Sequence, residues 1–191
     1  MLLYKGKDEA FPSSVEIGGD AYNINADFRN ILRILALLKN REMNELERVA
    51  EMCLLFFRDE RILKKVLPDM FISAFVGFLH PAEPEKDNGY VDDTGGRGDG
   101  EDGRRFCYDF DAEEIYAGFL SEYGMDLFEV EFLHWYKFKA LLGKLSSESA
   151  LKKKIELRFM DLKGLEGEAL TDASRAKLFR VIIRMIIVFQ D

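Results

Sequence analysis

Residues 14–38 read SVEIGGDAYNINADFRNILRILALL, and the spacing of apolar side chains changes within this stretch. Polar and apolar residues first alternate on either side of Gly18-Gly19-Asp20, as expected of two strands joined by a tight turn. From Phe28 onward, apolar residues recur at intervals of three and four, as on one face of an amphipathic helix. The stretch therefore predicts a short β-hairpin followed at once by a helix, which Asn25 or Asp27 can cap.

The same helical spacing recurs along the rest of the chain and predicts further helices. Asn44 is a suitable cap for the second helix, and Pro68 suits the first turn of the third. Residues 70–79 contain no charged side chain, so we expect the third helix to lie at the centre of the fold. Asp111 and Glu114 form a capping pair that predicts the start of the fourth helix.

A stretch rich in aromatic residues predicts a fifth helix that begins at Asp126 and Glu129. Its apolar stripe consists of Phe128, Phe132, Trp135, Phe138, Leu142 and Leu145. A sixth helix is expected from Ser147 and a last one from Thr171. The predicted fold class is mainly α, with about seven helices packed in one bundle-like domain and a short N-terminal β-hairpin.

Residues 81–103 differ in kind from the rest of the chain. They contain six glycines, eight acidic and two basic side chains, and only three apolar ones. Such a segment cannot bury enough apolar area to offset the entropy lost on ordering, so it is predicted to be an acidic, glycine-rich mobile linker. We expect residues 1–191 to form a single domain, with the hairpin and its helices in 1–80 and a helical C-terminal part in 104–191.

Composition argues against several classes of protein. The chain has 191 residues, with 27 basic and 35 acidic side chains and a net charge of −8. This acid excess disfavours binding to nucleic acid or to an anionic membrane, and no apolar run approaches the ~20 residues of a membrane span. Residues 1–10 do not resemble a signal peptide, and two cysteines, Cys53 and Cys107, are too few for a disulfide framework. We therefore expect a cytoplasmic protein with reduced thiols.

The sequence contains no recognisable catalytic, cofactor-binding or metal-binding motif. Glu131 and His134 have the spacing of a di-iron helical motif, but a second copy of that motif is missing, because Gly77 precedes His80 at the corresponding position. No close pair of ligands suggests zinc. We predict no catalytic residue, no metal, no cofactor and no small-molecule substrate, with a helical enzyme built on His134 as an alternative.

The predicted last helix is the most distinctive candidate for binding. Residues 181–189 are apolar except for Arg184, so this helix is either central to the fold or part of an interface. Its predicted partner-binding residues are Phe179, Ile182, Ile183, Ile186 and Ile187. We expect them to contact a second copy of the chain or another polypeptide.

Two blocks of sequence together resemble a known family. The first is Ser14-Val15-Glu16-Ile17-Gly18-Gly19 with Tyr22-Asn23-Ile24-Asn25-Ala26-Asp27-Phe28-Arg29. The second lies within residues 108–142 and contains the run His134-Trp135-Tyr136-Lys137-Phe138-Lys139-Ala140-Leu141. The chain resembles the bacteriophage gene-product-fifteen family of siphophages that infect Gram-positive bacteria.

This resemblance implies a non-enzymatic, helical tail assembly chaperone. Such a protein is expected to bind the tape measure protein before the tail tube assembles, and to form homo-oligomers. Its expected location is the host bacterial cytoplasm, with absence from the mature virion. The alternative that the resemblance leaves open is a structural virion component of the tail or connector.

Overall fold

The computed structural model describes residues 11–81 and 106–159, together with Thr171 and Ser174. Within these residues the chain forms a two-stranded antiparallel hairpin and six α-helices. The mainly α class is therefore confirmed, with six helices where about seven were expected. Thr171 and Ser174 are helical, whereas the rest of the predicted last helix and most of the predicted linker lie outside the described residues.

The hairpin has the predicted position and turn. Strands β1 (Ser14–Ile17) and β2 (Asp20–Asn23) pair in the register Ser14↔Asn23 to Ile17↔Asp20. Gly18 and Gly19 have φ angles of 61° and 91°, which side chains with a Cβ adopt rarely. On the inward face, the Tyr22 ring meets the edge of the Phe57 ring, with centroids 5.9 Å apart.

Three helices follow, separated by short connections. Helix α1 spans Phe28–Leu38, α2 spans Glu45–Phe57, and α3 spans Pro68–Leu79 after a short 3₁₀ helix at Glu60–Lys64. The predicted Asp27 and Asn44 caps are confirmed: their side chains accept hydrogen bonds from the backbone N–H groups of Arg29 and Leu46.

The remaining helices are α4 (Ala112–Tyr123), α5 (Trp135–Gly143) and α6 (Ala150–Phe159). The prediction that the fifth helix begins at Asp126 is wrong, because α5 begins nine residues later, at Trp135. The preceding backbone pairs instead with the chain around the start of α1: Phe28 N–H donates to the Leu133 carbonyl at 2.9 Å, and Trp135 N–H donates to the Ala26 carbonyl at 2.7 Å. A helix through Leu133 could not make this pairing.

The described chain divides into two compact units. The first contains residues 11–81 and Phe132–Lys139, and the second contains residues 106–131 and 140–159. Helix α5 therefore begins in the first unit and ends in the second. The prediction of a single domain over residues 1–191 stays a prediction.

Each unit has its own core. In the first, the rings of Phe71, Phe75 and Phe78 lie 6.0, 5.2 and 5.5 Å from that of Phe56, and burying one such side chain contributes about 1.5–3 kcal/mol. The core of the second consists mainly of Ile115, Phe119, Leu142, Leu145 and Leu151.

Candidate functional site

Helix α3 buries one face in the core of the first unit, as its lack of charge predicted, and leaves the apolar side chain of Val76 exposed on another. Phe71, Phe75 and Phe78 form one buried stripe, at the three- and four-residue spacing of a helix. Val76 lies outside that stripe and is 50% exposed, and Leu67, at the N-terminus of the helix, is 66% exposed. A helix without charged residues in its last ten positions therefore presents apolar side chains to solvent in the first unit.

An open groove borders the same helix. It has a volume of about 740 Å³ and lies between β1 and one side of α3. The α3 side carries Met70, Ser73, Ala74 and Gly77, which leave it mainly apolar and shallow. We call these four residues, together with the exposed Val76, the α3 surface.

The charged side chains that line the groove have one sign. They are Glu16 from β1 and Asp69 from the first turn of α3, and no basic side chain is among the lining residues of the described chain. The groove therefore combines an apolar floor with an acidic rim.

His134 occupies a structural position in the first unit. It is 8% exposed, its Nδ1 accepts from Tyr136 N–H at 3.1 Å, and its Nε2 lies 3.1 Å from the Pro12 carbonyl. Because Nδ1 accepts, Nε2 carries the proton and donates it to Pro12, so backbone groups engage both nitrogens. Burial lowers the pKa of His134 below its usual 6.5, against the smaller opposing effect of the Pro12 hydrogen bond.

The run at 134–141, part of the second block of the family resemblance, contributes to the core. His134, Trp135 and Phe138 are buried, and Phe138 stacks on Phe28 with ring centroids 4.6 Å apart. The family-like run at 134–141 therefore supports the fold of the first unit.

The first two residues of the predicted aromatic stripe are exposed. Phe128 is 78% exposed and Phe132 is 54% exposed, because the backbone from 126 to 134 is not helical. The Phe128 ring lies against the Tyr116 ring of the second unit, with centroids 5.2 Å apart. The sequence contained no signal for this exposure, since both residues fit a helical period.

Asp111 does not form the predicted capping box. Its side chain makes no cap hydrogen bond with α4 and instead binds Arg158 of α6 through two hydrogen bonds, one of them 2.8 Å long. Cys107 N–H also donates to Asp111 at 2.8 Å, and Lys154 lies 3.2 Å from its carboxylate. Burial raises the pKa of Asp111, but these hydrogen bonds and the Arg158 charge lower it more, so the pKa lies below 3.8. We assign this cluster a structural role in the second unit, because removing one partner of a buried ion pair such as Asp111–Arg158 is strongly destabilising.

The cysteines are both free. Cys53 is buried in α2, and burial raises the pKa of its thiol to about 11, which leaves little nucleophilic thiolate at neutral pH. In the part of the chain that the structure describes, no three histidine, cysteine or acidic side chains are grouped so as to hold a metal ion. None of the helices in this part has the length and apolar character to cross a membrane.

The five partner-binding residues predicted from the sequence, Phe179, Ile182, Ile183, Ile186 and Ile187, lie outside the described residues, and their role stays a prediction. Sequence reasoning did not identify the α3 surface as a candidate site. The absence of charged residues in 70–79 was the signal that could have indicated it. An uncharged helix is expected either in a core or at an interface, and α3 has one buried face and one partly exposed face.

The described residues thus define a mainly α protein whose candidate site is an apolar surface with an acidic groove. A family model described as Bacteriophage Gp15 protein matches residues 8–178, and the chain belongs to that family. No curated protein and no solved structure matches this sequence. Family membership indicates a phage-related role in structure or assembly.

Proposed function

We propose that this protein is a tail assembly chaperone, which binds the tape measure protein before the tail tube forms. The observation that carries the proposal is the partly exposed apolar side of α3, with Val76 50% exposed, in a chain that belongs to a phage family. A tape measure chain that has not yet been enclosed by the tube exposes apolar helical stripes. A partner that covers such stripes reversibly needs an apolar surface surrounded by polar and charged residues.

The roles of the other groups in the described chain agree with a binding function. Both nitrogens of His134 are engaged by the backbone, and the Cys53 thiol is buried and protonated. We therefore infer that neither group takes part in catalysis, and we propose that the protein acts without cofactor, metal or small-molecule substrate. Its acid excess supports the further proposal that it contacts neither nucleic acid nor membrane. We further infer that it self-associates and acts in the host bacterial cytoplasm.

Co-expression with the tape measure protein tests the proposal. The wild-type chain should increase the soluble amount of tape measure protein and co-purify with it. Because apolar contact depends little on screening, the complex should persist between about 0.1 M and about 1 M salt. Absence of a complex over this salt range would overturn the proposal.

A matched pair of variants locates the contact. Val76→Asp places a charge on the α3 surface at a 50% exposed position, so it should lower recovery of the complex about tenfold or more without unfolding the protein. Leu46→Asp places the same charge on α2, where Leu46 is 71% exposed, and should leave recovery unchanged. Circular dichroism of both variants checks the fold. Equal recovery with the two variants would exclude α3 as the binding surface.

A further inference from the structure

Within the described residues, strand β1 has an unpaired hydrogen-bonding edge, which we call its free edge. Ile24 N–H donates to the Ser13 carbonyl at 2.8 Å, which places residues 13, 15 and 17 on the side bonded to β2. Because bonding direction alternates along an antiparallel strand, Ser14 and Glu16 direct their backbone N–H and C=O groups to the opposite edge. Within the described residues, neither Ser14 nor Glu16 makes a backbone hydrogen bond on that edge.

The acidic groove runs beside this edge. Every residue of β1 lines it and no residue of β2 does, while α3 forms the other side. The α3 side has small residues at Ser73, Ala74 and Gly77, and a Cβ added at Gly77 would meet nothing within 4 Å. An unpaired strand edge beside an apolar helix face is an arrangement to which an extended peptide can add as a new strand.

The charged side chains of the groove indicate which kind of polypeptide segment would bind there. Glu16 and Asp69 are both acidic, and the chain as a whole has a net charge of −8. A second copy would bring its own Glu16 and the same acid excess, which disfavours pairing of β1 with itself. A segment with basic side chains would instead neutralise the rim.

We propose that the free edge of β1 binds an extended segment of another polypeptide by strand addition. The segment has alternating apolar and basic residues: the apolar ones cover Met70 and Ala74, and the basic ones face Glu16 and Asp69. Backbone groups of Ser14 and Glu16 supply the hydrogen bonds. The inference rests on the proposed function only in taking the partner to be a polypeptide.

Three short blocked peptides of alternating valine and lysine, bound to the full-length protein and followed by fluorescence anisotropy, test this mode. The first is unmodified, the second is N-methylated at every valine and the third at every lysine. Successive residues of a strand direct their N–H groups to opposite edges, so one methylated peptide should bind about tenfold or more weakly and the other nearly as well as the unmodified one. If both methylated peptides bind equally, charge attraction alone accounts for the binding and the proposal is overturned. Absence of binding by the unmodified peptide would also overturn it.

Two proline variants test the strand edge on the protein side. Ser14→Pro removes an N–H group from the free edge of β1 and leaves the β1–β2 ladder intact. Asn23→Pro removes the corresponding N–H group from the free edge of β2, because Ser14 and Asn23 are register partners. Only Ser14→Pro should weaken peptide binding, by about tenfold. Equal affinities of the two variants would overturn the proposal.

Sedimentation of the same samples distinguishes a second copy as occupant. A dimer that Ser14→Pro dissociates, combined with no peptide binding, would assign the groove to self-association and overturn the proposal. If the wild-type chain fails to capture the tape measure protein but still binds the peptide, the proposed function is overturned and this inference is not. If Ser14→Pro fails to fold, the comparison of methylated peptides on the wild-type protein decides the outcome without a variant.

Discussion

The buried His134 side chain should make the stability of the first unit depend on pH. Four rings lie close to it, those of Phe11, Phe78, Phe132 and Tyr136, with centroids 5.2 to 6.4 Å away. In such surroundings the neutral imidazole is favoured, so its pKa in the folded state lies below 6.5. The unfolded chain therefore binds a proton more readily than the folded one as the pH falls below 6.5.

The free energy of unfolding should consequently decrease as the pH falls from 6.5 toward the lower pKa of folded His134. One proton gives a slope of at most about 1.4 kcal/mol per pH unit. Urea unfolding of wild type and His134→Gln at a series of pH values measures this slope, which should flatten in the variant. The pKa values of Asp27 and Asp111 are lowered from 3.8, so these groups change the free energy of unfolding at a lower pH than His134 does.

His80 provides the control for this measurement, because it is the other histidine of the chain and is exposed. His80→Gln should leave the wild-type slope unchanged. If His134→Gln has the same slope as the wild type, the stability of the first unit does not depend on the protonation of His134.

Asp27 connects two elements that are far apart in sequence. Its carboxylate caps α1 through Arg29 N–H at 3.0 Å and also accepts from Leu133 N–H, 106 residues away, at 3.2 Å. Burial raises the pKa of Asp27, but the hydrogen bonds from Arg29 and Leu133 lower it more, so the carboxylate stays ionised above 3.8. This one side chain therefore stabilises both the start of α1 and the backbone before α5.

Asp27→Ala should lower the free energy of unfolding by about 2–3 kcal/mol, since it removes a helix cap and leaves the Leu133 N–H group without this acceptor. Asp59→Ala is the matched control. Asp59 accepts three hydrogen bonds from the backbone N–H and guanidinium of Arg61, as Asp27 does from Arg29, but at the start of an exposed 3₁₀ helix. Its effect should be clearly smaller. Urea unfolding curves with equal m-values check both variants, and equal losses would contradict a special role for Asp27.

Local signals predicted the elements whose causes are local. The glycine turn of the hairpin, the caps at Asp27 and Asn44, and Pro68 at the start of α3 each act within a few residues of the chain. The start of α5 could not be predicted in this way, because it depends on backbone pairing between Ala26–Phe28 and Leu133–Trp135.

The candidate site was harder to predict than the elements. Apolar spacing placed α3 correctly at Pro68, but it could not show that only one stripe of this helix would be covered. Likewise, Asp111 has the sequence position of a cap, yet Arg158, 47 residues away, binds its carboxylate. In both cases the partner is distant in sequence, and a periodic pattern contains no information on it.

At the scale of the whole chain, charge and apolar exposure act together. The net charge of −8 favours solubility, whereas the exposed apolar side chains of α3 favour contact with another polypeptide. A chaperone uses such a contact reversibly and leaves when the tail tube encloses its partner. A structural component of the tail or connector would use the same surface permanently. Whether the protein remains in the assembled particle therefore distinguishes the two roles.

Quantitative mass spectrometry of purified particles and of infected-cell lysate measures that fate. The chain should be abundant in the lysate and present at well below one copy per particle, because a reversible contact is lost once the tape measure protein is enclosed. The tape measure protein, quantified in the same digests, is the internal control for particle number. A fixed whole number of copies per particle, stable to further purification, would instead identify a permanent virion component and contradict the chaperone role.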